Sequence, residues 1–260
     1  MVQPEGRGAA QHGHATPANG GDDVAEPCIP TRMGDGSMVE KTRSELRADI
    51  EAGTAEGARR AKCPPLGADE LDHLLDIYYR SVGRNSGLLL NVPPNDKGLF
   101  CELDIRRLKE WRAALDETFA TDFAAGQPAV ASNVRGGDEA FGPARALDGD
   151  IDTYWATDDD VRTASLEVDL GAPATFNVSR VQEYIPLGER VRGYTIEAWQ
   201  DGAWKEIVKG TTIGHKKLER FPEVTTPKVR LTITDARACP MIAGFGLHYA
   251  PRHGLGQGEE

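Results

Sequence analysis

From about Ala131 to Pro251 the chain alternates apolar and polar residues in short stretches broken by Gly, Pro and Asp. Period-two alternation buries one face of a strand and wets the other, so this half can fold only as an antiparallel sandwich or a barrel. The expected strands are Leu166–Leu170, Val178–Ile185, Gly193–Trp199, Lys205–Lys209, Lys217–Phe221, Lys228–Thr234 and Ile242–Tyr249. Asp201-Gly202 is a two-residue hairpin signal, because both positions of such a turn need positive φ. Leu88-Leu89-Leu90-Asn91-Val92 is of another kind. A continuous apolar run marks a strand buried on both faces, which needs parallel neighbours.

That run lies between two helical patterns. Leu71, Leu74, Leu75, Tyr78 and Val82 recur at helical spacing behind the N-cap candidate Asp69, and Gly83 ends the pattern. A second helix is expected from about Glu102 to Phe119, with Ile105, Leu108, Leu115 and Phe119 on one side. Residues 1–66 are rich in Gly, Ala, Pro and charge without apolar periodicity, and read as a disordered tail. Residues 67–125 form the helix-strand-helix unit, 126–251 the sandwich and 252–260 a flexible tail. The fold class expected is α+β.

The chain has 260 residues, a formal net charge of −11 and a sequence pI of about 5.1. Such acidity excludes nucleic acid and anionic membrane surfaces as partners, since phosphates attract Lys and Arg. No run approaches the roughly 18 apolar residues of a membrane span. The first residues show no apolar core of a secretory signal. Cys28, Cys63, Cys101 and Cys239 match no zinc spacing. Four free thiols are the simpler reading of their spacing; a disulfide such as Cys63–Cys101 is open to a chain in an oxidising compartment.

Two passages carry a resemblance. Leu75-Asp76-Ile77-Tyr78-Tyr79-Arg80-Ser81-Val82-Gly83-Arg84-Asn85, followed by Leu88 to Pro94, resembles the end of the catalytic (β/α)8 barrel of plant and bacterial α-L-fucosidases. Gln182 to Val191, Thr211-Thr212-Ile213-Gly214-His215-Lys216-Lys217 and Arg230 to Ile233 are similar to the discoidin-like (factor 5/8 type C) sandwich that follows that barrel, a galactose-binding-like fold. Ala146-Leu147-Asp148-Gly149-Asp150-Ile151-Asp152-Thr153-Tyr154-Trp155 also suits that fold. The resemblance covers about residues 68–251. It implies a barrel remnant, retaining hydrolysis of terminal α-L-fucosides as the family's activity, and an extracellular or apoplastic place.

Retaining hydrolysis needs a nucleophile and an acid/base on opposite sides of the scissile bond. A whole barrel takes roughly 250 residues. The family's catalytic residues lie on earlier strands, so none is expected in this chain. A truncated member of the family is the first reading, and a non-catalytic carbohydrate-binding module is the alternative. Fucosylated glycans or other carbohydrate are the implied partners, with oligomers formed through the unpaired barrel strand.

A sugar site needs an aromatic face and hydrogen-bonding groups at the loops of the sandwich, and Tyr184, Arg190, His215 and Lys216 are the candidates. The bland reading of this motif is that it builds the interface to the preceding barrel. Trp155 and Trp199 read as core. No cofactor is expected. Asp148, Asp150 and Thr153 crowd oxygen ligands into a loop that could hold structural calcium. The carboxylate that completes such a site in related sandwiches is missing at Ala243-Gly244-Phe245, and an Asp-Gly turn is the simpler reading. Asn177-Val178-Ser179 is a glycosylation sequon for a secreted chain.

Overall fold

The computed structural model describes residues 29–32, 38–41, 69–95 and 97–251, and the chain divides into two units at Lys62/Cys63. In the first unit β1 (Ile29–Arg32) pairs antiparallel with β2 (Met38–Lys41), Ile29 opposite Lys41. This hairpin stands within the stretch whose composition reads as a disordered tail; the rest of that stretch and residues 252–260 lie outside the described residues.

The second unit opens with α1 (Asp69–Ser81) and α2 (Glu102–Phe119). The helical periods predict both. Gly83 ends α1 where any side chain would meet the Tyr79 carbonyl. Leu88–Val92 is not a strand: residues 86–95 are extended without a ladder, and Leu89 is 96 % exposed. An apolar run becomes a strand only where a neighbour accepts its backbone hydrogen bonds. Here the described backbone pairing is the isolated bridge of Arg84 to Lys217, with Leu218 N–H donating to the Gly83 carbonyl at 3.0 Å. The expected barrel remnant is therefore helix, extended passage, helix.

The sheet comprises β3 (Ala129–Ala131), β4 (Trp155–Ala156), β5 (Ala164–Glu183), β6 (Val191–Gln200), β7 (Ala203–Gly210), β8 (Lys217–Ala236) and β9 (Met241–His248). The order is β4-β9-β5-β8-β6-β7, with β3 on β5, and every pairing is antiparallel. The sequence breaks β5 and β8 into two strands each, at Gly171-Ala172-Pro173 and Pro222. The structure keeps each as one 20-residue strand and absorbs the break as register shifts after Asp169 and Phe176. The halves of these bent strands belong to different layers. The first layer holds β3, β6, β7 and the halves of β5 and β8 around Leu166 and Leu231. The second holds β4, β9 and the halves around Val178 and Leu218. Leu166, Val168, Ile196 and Leu231 of one layer meet Val181, Phe221, Phe245 and Leu247 of the other in a single core.

Asp201 (φ 54) and Gly202 (φ 80) form the expected β6–β7 turn. Trp155 is core, its ring N–H on the Asn133 carbonyl at 3.0 Å. Trp199 is not: Tyr194, Ile196 and Ala198 take the inner face of β6, which turns Trp199 outward against Trp204. Cys101 is disulfide-bonded, with its partner outside the described residues, and Cys239 is a buried free thiol. That replaces the reading of four free thiols.

Candidate functional site

The outer face of the second layer receives the helices. Tyr79, Val178, Leu218 and Ala250 form a buried cluster with Tyr78 and Phe119 packed on it. Arg220 crosses the junction. Its guanidinium binds the Asp76 carboxylate at 2.6 Å and stacks over the Tyr79 ring at 4.5 Å. Burial pushes the Asp76 carboxyl up, but the Arg220 and Arg80 guanidiniums outweigh it and hold the group below its ordinary value. Burial raises the Tyr79 phenol to about 12.

The connection after α1 is fastened by Asn85. Its side-chain N–H donates to the Ile213 carbonyl at 2.9 Å, and its Oδ1 accepts from Lys216 N–H at 2.7 Å. Asn85 has φ 67, a left-handed conformation that Asn tolerates better than most residues. Gly214 lies beneath it at φ 70, where a Cβ would stand 2.6 Å from the Asn85 amide nitrogen. Behind this loop Glu183 is buried and accepts three backbone N–H bonds: Arg190 at 2.7 Å, Val191 at 2.9 Å and Gly214 at 2.8 Å. Burial pushes its carboxyl up, and the three donors pull part of the way back. One carboxylate thus holds the 184–191 and 213–217 segments together.

Of the four sugar candidates, Lys216 lines a described cavity, and the other three are placed by their own contacts. Tyr184 stacks on Tyr154, centroids 4.2 Å apart, with Phe141 beyond it. Arg190 is turned onto the loop after β8, donating to the Cys239 carbonyl at 3.1 Å and its thiol at 2.8 Å. His215 is exposed, and its carbonyl accepts from the Gln182 amide. Lys216 lines a groove of about 310 Å³ against α2. Tyr184 with Arg190 therefore belongs to the loop end of the sandwich, and His215 with Lys216 to the helix junction. Glu183 and Asn85 organise these places and were not among the site residues that the sequence singled out. The one available signal was an acidic residue beside Val181, Tyr184 and Ile185 at a strand end.

The calcium candidates Asp148, Asp150 and Thr153 bond to one another and to the loop backbone. Asp148 Oδ1 caps Asp150 N–H and Oδ2 accepts the Thr153 hydroxyl at 2.7 Å, while Asp150 Oδ1 caps Asp152 N–H. Arg145, 3.7 Å from Asp148 Oδ2, supplies the positive charge. No three His, Cys, Asp or Glu residues gather for a metal among the described residues. The loop is a set of Asp-capped turns. Asn177, the sequon residue, lies inside the fold. It is fully buried, its amide donates to the Ala250 carbonyl at 2.9 Å, and its oxygen accepts the Ala250 N–H at 2.8 Å. In the folded chain this amide nitrogen is out of contact with solvent.

A cavity of about 330 Å³ lies between α1, the extended passage and α2. It presents two carboxylates, Glu70 and Asp104, beside His73, Asn91 and Arg107 in a largely apolar, open wall. Both acids sit in the first turn of their helices, where the helix dipole favours negative charge.

Comparison with known proteins fits this arrangement. The F5/8 type C domain family matches residues 128–245, which is the sandwich. "Putative alpha-L-fucosidase 1" of Oryza sativa subsp. japonica is 44 % identical over 176 residues. The chain is a homologue of the α-L-fucosidases. Alpha-L-fucosidase 1 of Arabidopsis thaliana is 34 % identical over 84 % of this chain. The chain spans 34 % and 43 % of these two relatives. Among solved structures, SpGH29 superposes at TM-score 0.65 and 36 % identity over 70 % of this chain and 39 % of its own. The Ruminococcus gnavus GH29 fucosidase E1_10125 in complex with fucose superposes at 0.67 and 33 % identity, over 71 % and 37 %. The α-L-fucosidase likeness thus reaches well beyond 128–245 and takes in the helix junction. A second family, dimethylamine methyltransferase, matches residues 28–98. The Arabidopsis α-L-fucosidase overlaps that stretch, since it covers 84 % of this chain.

Proposed function

We propose that this chain serves an α-L-fucosidase as its accessory part, a sandwich clamped to a helix pair that recognises fucosylated glycan while the cleaving carboxylates come from elsewhere. The observation that carries the reading is the junction itself. The Arg220–Asp76 pair, the Arg84–Glu219 pair at 3.2 Å and the two-ended Asn85 clasp tie the sandwich to helices that reach across its outer face. A free-standing lectin would have no use for that attachment. Retaining hydrolysis sets two carboxyl groups about 5–5.5 Å apart across a bound sugar. Glu70 and Asp104 stand on separate helix ends in an open groove and offer no such enclosed pair.

Recognition is assigned to the loop end, where the stacked Tyr154–Tyr184 pair offers an aromatic face beside exposed Leu187 and Ile185. The apolar residues left exposed on the helix unit, Leu89, Leu99, Phe100 and Ile105, support contact with a further protein surface. The Cys101 disulfide supports an oxidising compartment, in keeping with an extracellular place. The test has two arms. A chromogenic α-L-fucoside should show no hydrolysis by the chain above a buffer blank, and a measurable rate would sink the accessory reading. Titration calorimetry with fucosylated oligosaccharides should show saturable binding that Tyr184→Ala removes; silence would remove recognition.

A further inference from the structure

We infer that the groove between α2 and the outer face of the second layer holds the anionic group of an acidic sugar, a carboxylate or a sulfate ester carried on the ring. Its volume, about 310 Å³, is in the range of small-ligand sites. Arg112, Arg180 and Lys216 line it against a single carboxylate, Asp116. Three cations in one groove are notable in a chain of net charge −11.

Their partners leave room for an anion. Arg112 Nε is engaged by Asp116 at 2.8 Å, and one Arg180 Nη by Asp122 at 3.1 Å. Arg180 Nε is buried with no hydrogen-bond partner. The Lys216 ammonium has no anionic partner among the described residues: the influences on it are its own burial and the facing Arg180, and both disfavour its charge. Two cations facing one another across a partly dry wall repel. An oxyanion placed between them relieves the repulsion and accepts charge-assisted hydrogen bonds. Leu115 and Phe119 supply an apolar side for the C–H face of a pyranose, and Asp116 remains at the rim as an acceptor for ring hydroxyls. The groove is separate from the Tyr154–Tyr184 face, so this site stands or falls independently of fucose recognition.

The experiment is titration of the full chain with glucuronate, glucose 6-sulfate, glucose, acetate and sulfate, followed by calorimetry or amide chemical shifts. At least one acidic sugar should bind saturably and glucose should not. Lys216→Gln should weaken that binding about tenfold, as expected for one lost charge-assisted bond. Arg112→Gln, at a side chain 77 % exposed on α2, should also weaken it while leaving the melting temperature unchanged. Silence from both acidic sugars, binding of glucose as tight as theirs, or undiminished binding by Lys216→Gln would overturn the proposal. Acetate or sulfate binding as tightly as the sugars would reduce the groove to a small-anion site and would overturn it too.

Discussion

Removing the Asn85 clasp should loosen the helix pair from the sandwich by an amount the structure lets one work out. Asn85→Ala deletes two hydrogen bonds, one to the Ile213 carbonyl and one from Lys216 N–H. Each contributes about 1 kcal/mol net. The residue also sits at φ 67, where a Cβ without a compensating polar group costs about 1 kcal/mol. The sum is about 3 kcal/mol. For a unit of this size, with unfolding entropy scaling with length, that is a melting temperature lower by roughly 6–12 °C. Asn85→Asp separates the contributions. It keeps the acceptor for Lys216 N–H and the tolerance of left-handed backbone, but sets a carboxylate oxygen against the Ile213 carbonyl, so it should fall between wild type and Ala. Thermal and urea unfolding at neutral pH measure all three proteins. Limited proteolysis across residues 86–95 should quicken in the same order. An Ala variant within about 0.5 kcal/mol of wild type, or an Asp variant less stable than Ala, would refute the account of the junction.

Three further outcomes are expected. The Asp76 carboxyl is held below its ordinary 3.8, so its pairing with Arg220 stabilises the fold above that pH and is lost as pH falls below it; Asp76→Asn should therefore be less stable at neutral pH and lose less on acidification, and parallel acid-melting curves would count against this. Mass spectrometry of the chain secreted from a glycosylating host should find Asn177 unmodified, and Asn177→Ala should cost about 2–4 kcal/mol for two buried groups left unpaired. Millimolar calcium or a chelator should leave the melting temperature within about 1 °C, because an occupied, folded-state metal site would raise it by mass action.

The parts of the fold legible in sequence are those whose determinants are local. Alternation along Gly193–Trp199 and Lys228–Thr234, the Asp201-Gly202 turn and the helical spacing of Leu71, Leu75 and Tyr78 each depend on a few neighbouring residues. What escaped depends on partners distant in sequence. Leu88–Val92 has the composition of an inner strand, yet no neighbour among the described residues completes its ladder. Pro173 and Pro222 look like strand ends, yet they fall within bent strands whose pairing resumes beyond them. The sequon at Asn177 gives no hint that Ala250, 73 residues later, closes over its amide. At the candidate site, Tyr184 and Lys216 come from motifs readable in one dimension. Glu183 and Asn85 become important only through Gly214 and Lys216, which fold brings to them.

Strands β5 and β8 run through both layers of the sandwich. Neither layer can detach while the other stays intact, since peeling one would pull its own backbone out of its neighbour. Amide hydrogen exchange should accordingly report a single opening for Val168, Val181, Leu218 and Leu231, and excision of either half of these strands should abolish folding instead of leaving a smaller sheet.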